Sequence, residues 1–160
     1  MKIRRVETDK KQYLALLLLA DEQEDMVDRY LERGTMYVLE DGGVRAECVV
    51  TDEGGGVLEL KNIAVEPEAQ GRGYGRALVD FLVRTYAGRY EVLQAGTGDS
   101  PATVPFYEAC GFTGTTWSGT FSPITTTTPS MRAECSWWTW CTCEGTCEGY
   151  VSHIPAGSRK

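Results

Sequence analysis

Between Val65 and Arg76 the chain reads VEPEAQGRGYGR. Gly71, Gly73 and Gly75 stand directly before Ala77, Leu78, Phe81 and Leu82, which recur at helical spacing. A glycine-rich turn that opens a helix suits one kind of chemistry. The first N–H groups of a helix have no intrahelical acceptor, and together with the helix dipole they cradle an anion. Glycine at these positions permits positive φ and lets a ligand approach the backbone closely. A strand ending at Val65 would aim the rest of the ligand along its edge, and a diphosphate fits that geometry. The turn is not a Walker-type loop, since no Gly-Lys-Ser/Thr triplet follows. It is a poor dinucleotide fingerprint too, because the spacing differs and no early β-α-β unit precedes it.

The other reactive residue types give less. Four of the six cysteines, Cys135, Cys141, Cys143 and Cys147, fall in a late Trp-rich stretch. Their C-x5-C-x-C-x3-C spacing lacks the paired CxxC knuckles of common zinc sites, so no metal site is assigned. Cys110 reads as a buried small residue. The single histidine, His153, lies near the C-terminal end, which excludes Ser–His or Cys–His machinery.

The elements that must position the glycine turn can be read from periodicity. KIRRV alternates and predicts a first strand. Residues 8–34 predict one or two amphipathic helices, with Thr8 or Asp9 as cap and Gly34 as stop. Residues 35–65 predict three antiparallel strands joined at DGG and DEGGG turns. A helix after the glycine turn, a strand at YEVLQAG and a short helix in SPATVPFYEACGF follow. Ser100 would cap that helix, Pro101 would take its first position and Gly111 would stop it. The order is β-α-α-β-β-β-α-β-α, a mixed α/β (α+β) arrangement. A chain of 160 residues makes a single domain of it. Net charge of −7 argues against a nucleic-acid partner. YLALLLLA is too short to span a bilayer, and the N-terminus lacks an apolar signal region. The expected setting is cytoplasmic, without a membrane partner and with cysteines as thiols.

The run from Gln70 to Gly75 matches the Q/R-x-x-G-x-G/A motif and resembles the GNAT N-acetyltransferase superfamily. LKNIAVEPEAQGRGYG looks like that family's fourth strand and pyrophosphate loop, and FYEACGF looks like its fourth helix. The likeness covers roughly residues 1–113. It implies the GNAT acyl-CoA N-acyltransferase fold, a mixed central sheet flanked by helices. It also implies acetyl-CoA as cosubstrate and a primary amine of a small molecule or peptide as acceptor. By position, Ile63, Ala64 and Val65 would bond the acetyl carbonyl and pantetheine arm. The amides of Gly71, Arg72, Gly73, Tyr74, Gly75 and Arg76 would hold the diphosphate, with Gln70 of the motif also at the cofactor site. Tyr107 matches the tyrosine that protonates the leaving thiolate. Glu59 lies where some members place the general base; in an alternating strand a glutamate also commonly just faces solvent. Asp99 stands where many relatives carry Asn, after the fifth strand, at a CoA or acceptor contact.

Beyond Phe112 the character changes to a Thr-rich stretch and then SWWTWCTCEGTC. Back-translated with permissive codons and read one base earlier, this part yields an aromatic-rich loop and an alternating strand, as at a GNAT C-terminus. Residues 114–160 therefore read as an atypical tail, out of frame from about 113–116. CSWWTWCTC would occupy the slot of the last strand, its tryptophans would favour a homodimer, and GYVSHIPAGSRK reads as a loose end. An altered tail leaves one rival reading, a CoA-binding protein with impaired catalysis.

Overall fold

The computed structural model describes residues 1–96, 103–117 and 147–155, the side chains of 115–117 and 147–151 excepted. Within them a seven-stranded sheet runs in the order β1-β2-β3-β4-β5-β7-β6. The strands are β1 (Lys2–Val6), β2 (Thr35–Glu40), β3 (Val44–Gly54), β4 (Val57–Val65), β5 (Val92–Gly96), β6 (Thr113–Trp117) and β7 (Cys147–His153). Only β4 and β5 pair in parallel. The helices are α1 (Leu14–Leu17), α2 (Glu24–Leu31), α3 (Tyr74–Tyr86) and α4 (Val104–Ala109).

The predicted early helical region is broken into short pieces. A 3-10 turn (Lys10–Tyr13) precedes α1, and Asp9 occupies its cap position at φ 51° without a capping side-chain bond. In α2 the apolar Val27, Tyr30 and Leu31 recur at the spacing that makes one buried stripe. Its C-terminal carbonyls are closed by a distant residue. Lys10 Nζ donates to Leu31 O at 2.8 Å, Glu32 O at 3.1 Å and Gly34 O at 2.7 Å, matching a cation to the negative helix end. In α3, Leu78, Val79, Leu82 and Tyr86 form the buried stripe.

Two cores result. Tyr37, Leu39, Ala46, Cys48, Val50, Leu58 and Leu60 meet α3 and α4 on one sheet face. Val6, Met36, Val38 and Val49 meet α1 and α2 on the other. Strand alternation accounts for this division, and of the three register shifts one puts an extra residue in β4. Val49 pairs with Asn62 but Val50 pairs with Leu60, so Lys61 is an extra residue, a β-bulge in β4. The four buried polar side chains among the described residues are Glu47, Thr51, Glu59 and Asn62. The register places all of them on the α1–α2 face, Glu59 opposite Thr51 and Asn62 opposite Val49.

Two expectations need correction. The described part of the last helix begins at Val104, with Thr103 at its cap position and a proline in its first turn. Ser100 and Pro101 lie outside the described residues. The last strand is Cys147–His153, between β5 and β6, so its Gly149–His153 portion is not a loose end. Tyr150 and Val151 are strand formers, and the edge of β5 offers them a ladder to join. CSWWTWCTC lies outside the described residues.

Candidate active site

The glycine turn stands as the sequence implies. A short 3-10 turn (Pro67–Ala69) leads out of β4, and Gly73 occupies the N-cap position of α3. Gln70, Gly71, Arg72, Gly73 and Arg76 are exposed. Gly71 at φ 73° and Gly73 at φ 82° adopt the left-handed conformation that favours glycine. A β-carbon at either would meet nothing within 4 Å, so backbone conformation rather than crowding selects glycine there. The open space beyond is where an anion would sit. The first backbone bond of α3 runs from Ala77 N–H to Gly73 O at 2.9 Å. The amides from Gly71 to Arg76 therefore precede the helical ladder, as an anion cradle requires. The residues present fit a diphosphate.

The Tyr74 ring is buried in the core, which leaves only its amide facing the turn. Its hydroxyl donates to Asp41 Oδ2 at 2.6 Å, pinning the α3 start to the β2–β3 turn. That hydroxyl, with the N-terminal ammonium, holds the Asp41 carboxyl below its usual range. Gln70 Nε2 donates to Val65 O at 3.3 Å, which ties the turn to the end of β4. Arg45 Nη1 pairs with Glu66 at 2.8 Å just beyond.

Beside this turn lies the end of β4. Among the described residues the parallel ladder runs from Val57↔Val92 to Leu60↔Ala95. Ile63, Ala64 and Val65 stay paired to β3, opposite Cys48, Glu47 and Ala46. Toward β5 their strand edge has no ladder partner among the described residues. An edge without a ladder partner presents backbone N–H and C=O groups to whatever lies beside it.

Tyr107 lies on the α3 side. It is 6% exposed, with Phe106 and Phe112 edge-on at ring-centroid distances of 5.2 and 5.3 Å. Burial pushes its pKa up, and Cys110 adds to this. Its hydroxyl is thus protonated across the neutral range, the state a proton donor needs. Cys110 is half-buried.

Glu59 is on the opposite face, within the paired part of β4. It does not face solvent, being 2% exposed. Lys61 Nζ pairs with its Oε1 at 2.6 Å, and Gln94 Nε2 donates to Oε2 at 3.4 Å. Burial raises its pKa while Lys61 pulls the other way. Asp99 lies outside the described residues, as do Cys135, Cys141 and Cys143. Among the described residues no group of His, Cys, Asp and Glu is arranged to hold a metal ion, and no helix is long and apolar enough to cross a membrane.

The structure brings the glycine turn, the end of β4 and α4 together. The β-carbon position of Gly75 lies 3.0 Å from Phe106 Cε2 and 3.6 Å from Val65 Cγ2. It does not bring Tyr107 and Glu59 together, since they project from opposite sheet faces. Sequence reasoning missed Glu47 and Asn62. A charged residue inside the apolar run AECVV was the available signal.

The acetyltransferase (GNAT) domain family matches residues 32–114, just over half of the chain. The chain belongs to the GNAT acetyltransferase family. Its GNAT domain is 37% identical over 100 residues to the uncharacterized N-acetyltransferase YvbK of Bacillus subtilis (strain 168). That match takes in 61% of this chain and 64% of the relative, so the chain spans less than two thirds of it. The fold is similar to the IAA acetyltransferase of Bacillus cereus ATCC 14579, with a TM-score of 0.70, 28% identity, and 96% and 99% of the two chains covered. It is equally similar to a Bacillus subtilis acetyltransferase solved in complex with CoA, with a TM-score of 0.70, 24% identity, and 96% and 98% covered. These matches place the mixed sheet and its flanking helices in the GNAT fold.

Proposed function

We infer that this chain is an acetyl-CoA-dependent N-acetyltransferase acting on a primary amine of a small molecule or peptide. One observation carries the reading. An exposed cradle of helix-start amides (Gly71–Arg76) adjoins a strand edge (Ile63–Val65) beyond the last β4–β5 pair of the described residues. A thiol ester with a diphosphate at its far end needs both, a cradle for the anion and an edge for the arm. Acetyl-CoA supplies an activated acetyl group and a thiolate that leaves.

The chain's own residues then divide the work. The amides around Gly71 and Gly73 bind the diphosphate and so fix the direction of the arm. Backbone groups of Ile63, Ala64 and Val65 hold the arm along this edge, with one N–H facing the acyl oxygen. Tyr107 gives its hydroxyl proton to the leaving sulfur. Glu59, directly or through water, takes the proton that the amine must lose. Desolvation suits it to that role, but Lys61 must yield part of its hold. The two groups stand on opposite faces, so a bound arm would have to pass between β4 and β5 to meet both. We propose Asp99 as a cosubstrate or acceptor contact and an out-of-frame origin for the tail, which the coding DNA across residues 110–120 tests.

Thiol release from acetyl-CoA with a broad panel of primary amines tests the reading. Amine-dependent release by the full chain, above its rate without amine, is expected. CoA binding by calorimetry with no amine-dependent release would reduce the protein to a CoA binder and overturn the catalytic assignment.

A further inference from the structure

One side chain takes no part in the chemistry above. Glu47, on β3, is fully buried, and among the described residues neither carboxylate oxygen has a hydrogen-bonding partner. Its neighbours in the same row are Val38 on β2 and Ala64 on β4. The Ala64 amide offers partial compensation without closing a hydrogen bond. One diagonal step away is Asn62, whose Oδ1 is also buried without a partner. Asn62 Nδ2, in contrast, is engaged, donating to Leu17 O at 3.0 Å and to the Tyr30 hydroxyl at 2.8 Å. Tyr30 in turn donates to Asp21, and Asp21 lies near enough to Glu47 to oppose its ionisation.

Among the described residues no ion pair includes Glu47 or Asp21. Arg4, in the same row two strands away, is held by Glu40 at 2.7 Å and by Tyr13 at 2.6 Å. Lys61 pairs with Glu59 and Glu53. A buried carboxylate without donors is a costly arrangement unless something meets it. Three acceptor atoms on one face are open: both Glu47 oxygens and Asn62 Oδ1. A primary ammonium carries three N–H donors and no acceptor. Glu47 also stands across the ladder from Ala64, near the end of β4, and facing β-carbons lie about 4.5–5.5 Å apart. A cation docked there would sit beside the acyl carbonyl.

We propose that Glu47, assisted by Asn62 Oδ1, is the docking point for the acceptor's primary ammonium group, which enters from the α1–α2 face. The inference rests on the acetyltransferase reading. The acceptor is thus a cation at the reacting end, with no carboxylate or phosphate next to its amine. The single turn of α1 packs on β3 and β4 and is tied down by the Asn62–Leu17 bond, so entry requires that turn to lift.

The test uses the full chain saturated with CoA and n-butylammonium chloride as probe, with n-butanol as neutral control. Carboxyl carbon NMR, with the Glu47 signal assigned by its loss in Glu47→Gln, should show a saturable shift with the ammonium and none with the alcohol. In kinetics on the best amine of the panel, Glu47→Gln should raise the KM for amine about 30-fold or more, the lower end of what losing one partner of a buried charge pair costs. The KM for acetyl-CoA should stay as it is, and Glu47→Asp should recover part of the loss. An unmoved Glu47 signal, or equal ammonium binding by wild type and Glu47→Gln, overturns the proposal even if thiol release proceeds. Failure of the acetyltransferase reading shows separately, as absent thiol release with the Glu47 signal still responding.

Discussion

The Phe106 ring packs against the α-carbon of Gly75, so closely that a β-carbon there would lie 3.0 Å from Cε2 and 3.2 Å from Cζ. Gly75 is in the first turn of α3, so this contact lets α4 approach the glycine turn and sets the position of Tyr107 next to Phe106. Gly75→Val should force the ring aside at a cost of about 1–3 kcal/mol, the usual range for overpacking. The melting temperature should fall by about 2–4 °C per kcal/mol in a chain of this size. Adding Phe106→Leu should return part of the loss, and a double-mutant cycle by thermal denaturation checks the coupling.

Gly73 separates conformational cost from ligand space. Gly73→Val carries both, because a branched residue at φ 82° is strained by roughly 1–2 kcal/mol or more. Gly73→Asn should spare most of the strain, since Asn tolerates the left-handed region. Its side chain still projects into the open space of the turn. Calorimetry should return CoA affinity at least about tenfold weaker for both variants, which is 1.4 kcal/mol. Intact affinity in a folded Gly73→Asn protein would remove the diphosphate from this turn.

Tyr107→Phe keeps the aromatic packing against Phe106 and Phe112 and deletes only the hydroxyl. If that hydroxyl protonates the leaving thiolate, kcat should drop by about 10²–10⁴-fold, the range for one positioned general acid. CoA affinity should hardly change. A variant with wild-type kcat on a good substrate would release Tyr107 from this role.

Lys61→Met leaves Glu59 buried without its ion-pair partner at 2.6 Å. Breaking such a pair from one side costs about 3–5 kcal/mol. The loss should depend on pH with a defined sign. Burial already raises the folded-state pKa of Glu59, and removal of the cation raises it further. Below the unfolded carboxyl pKa of about 4.3 both states are protonated and the penalty vanishes. It grows as pH climbs from there through the raised folded value. Lys61→Met should therefore unfold most easily at neutral to alkaline pH, and Glu59→Gln should rescue it.

Glu47→Gln should stabilise the apo protein, the opposite of its effect on amine binding. Burial and then Asp21 raise the Glu47 pKa well above the usual carboxylate range. The wild type thus loses stability as pH rises above the unfolded value of about 4.3. At pH 7–8 the variant should melt at least about 2–4 °C higher, the equivalent of one kcal/mol. The difference should close on acidification toward pH 4, as differential scanning calorimetry would record.

Much of the frame is legible in the residues. KIRRV, the two glycine-turned hairpins and the stripe of α3 follow from alternation and helical spacing, because each is a local pattern that burial reinforces. The cradle at Gly71 and Gly73 is legible too, since positive φ demands glycine at a helix start. The fragmentation of residues 10–31 is not, because α1 and α2 are held by distant partners such as Lys10 and Asn62. The parallel pairing of β4 with β5 is a matter of register between strands far apart in sequence. Glu59 and Tyr107 are found by type, yet their placement on opposite faces depends on which helices cover each side. Glu47 is visible only as an oddity in an apolar run, and its meaning depends on Ala64, Asn62 and Asp21 arriving around it.

The bulge at Lys61 gives β4 two phase-shifted halves, like combs offset by one tooth. Glu59 and Asn62 are an odd number of positions apart and still share a face, which a regular strand forbids. Deleting Lys61 would bring the halves back into phase, and one of them would have to roll over. Either Glu59 would turn into the apolar side under α3, or Asn62 and Ala64 would, carrying Ile63 and Val65 the other way. A substitution at Lys61 costs an ion pair, but removing the residue exchanges the inside and outside of half a strand. The residue count between Leu60 and Asn62 is thus itself part of the site, and an insertion or deletion there should abolish it even when every side chain named above is retained.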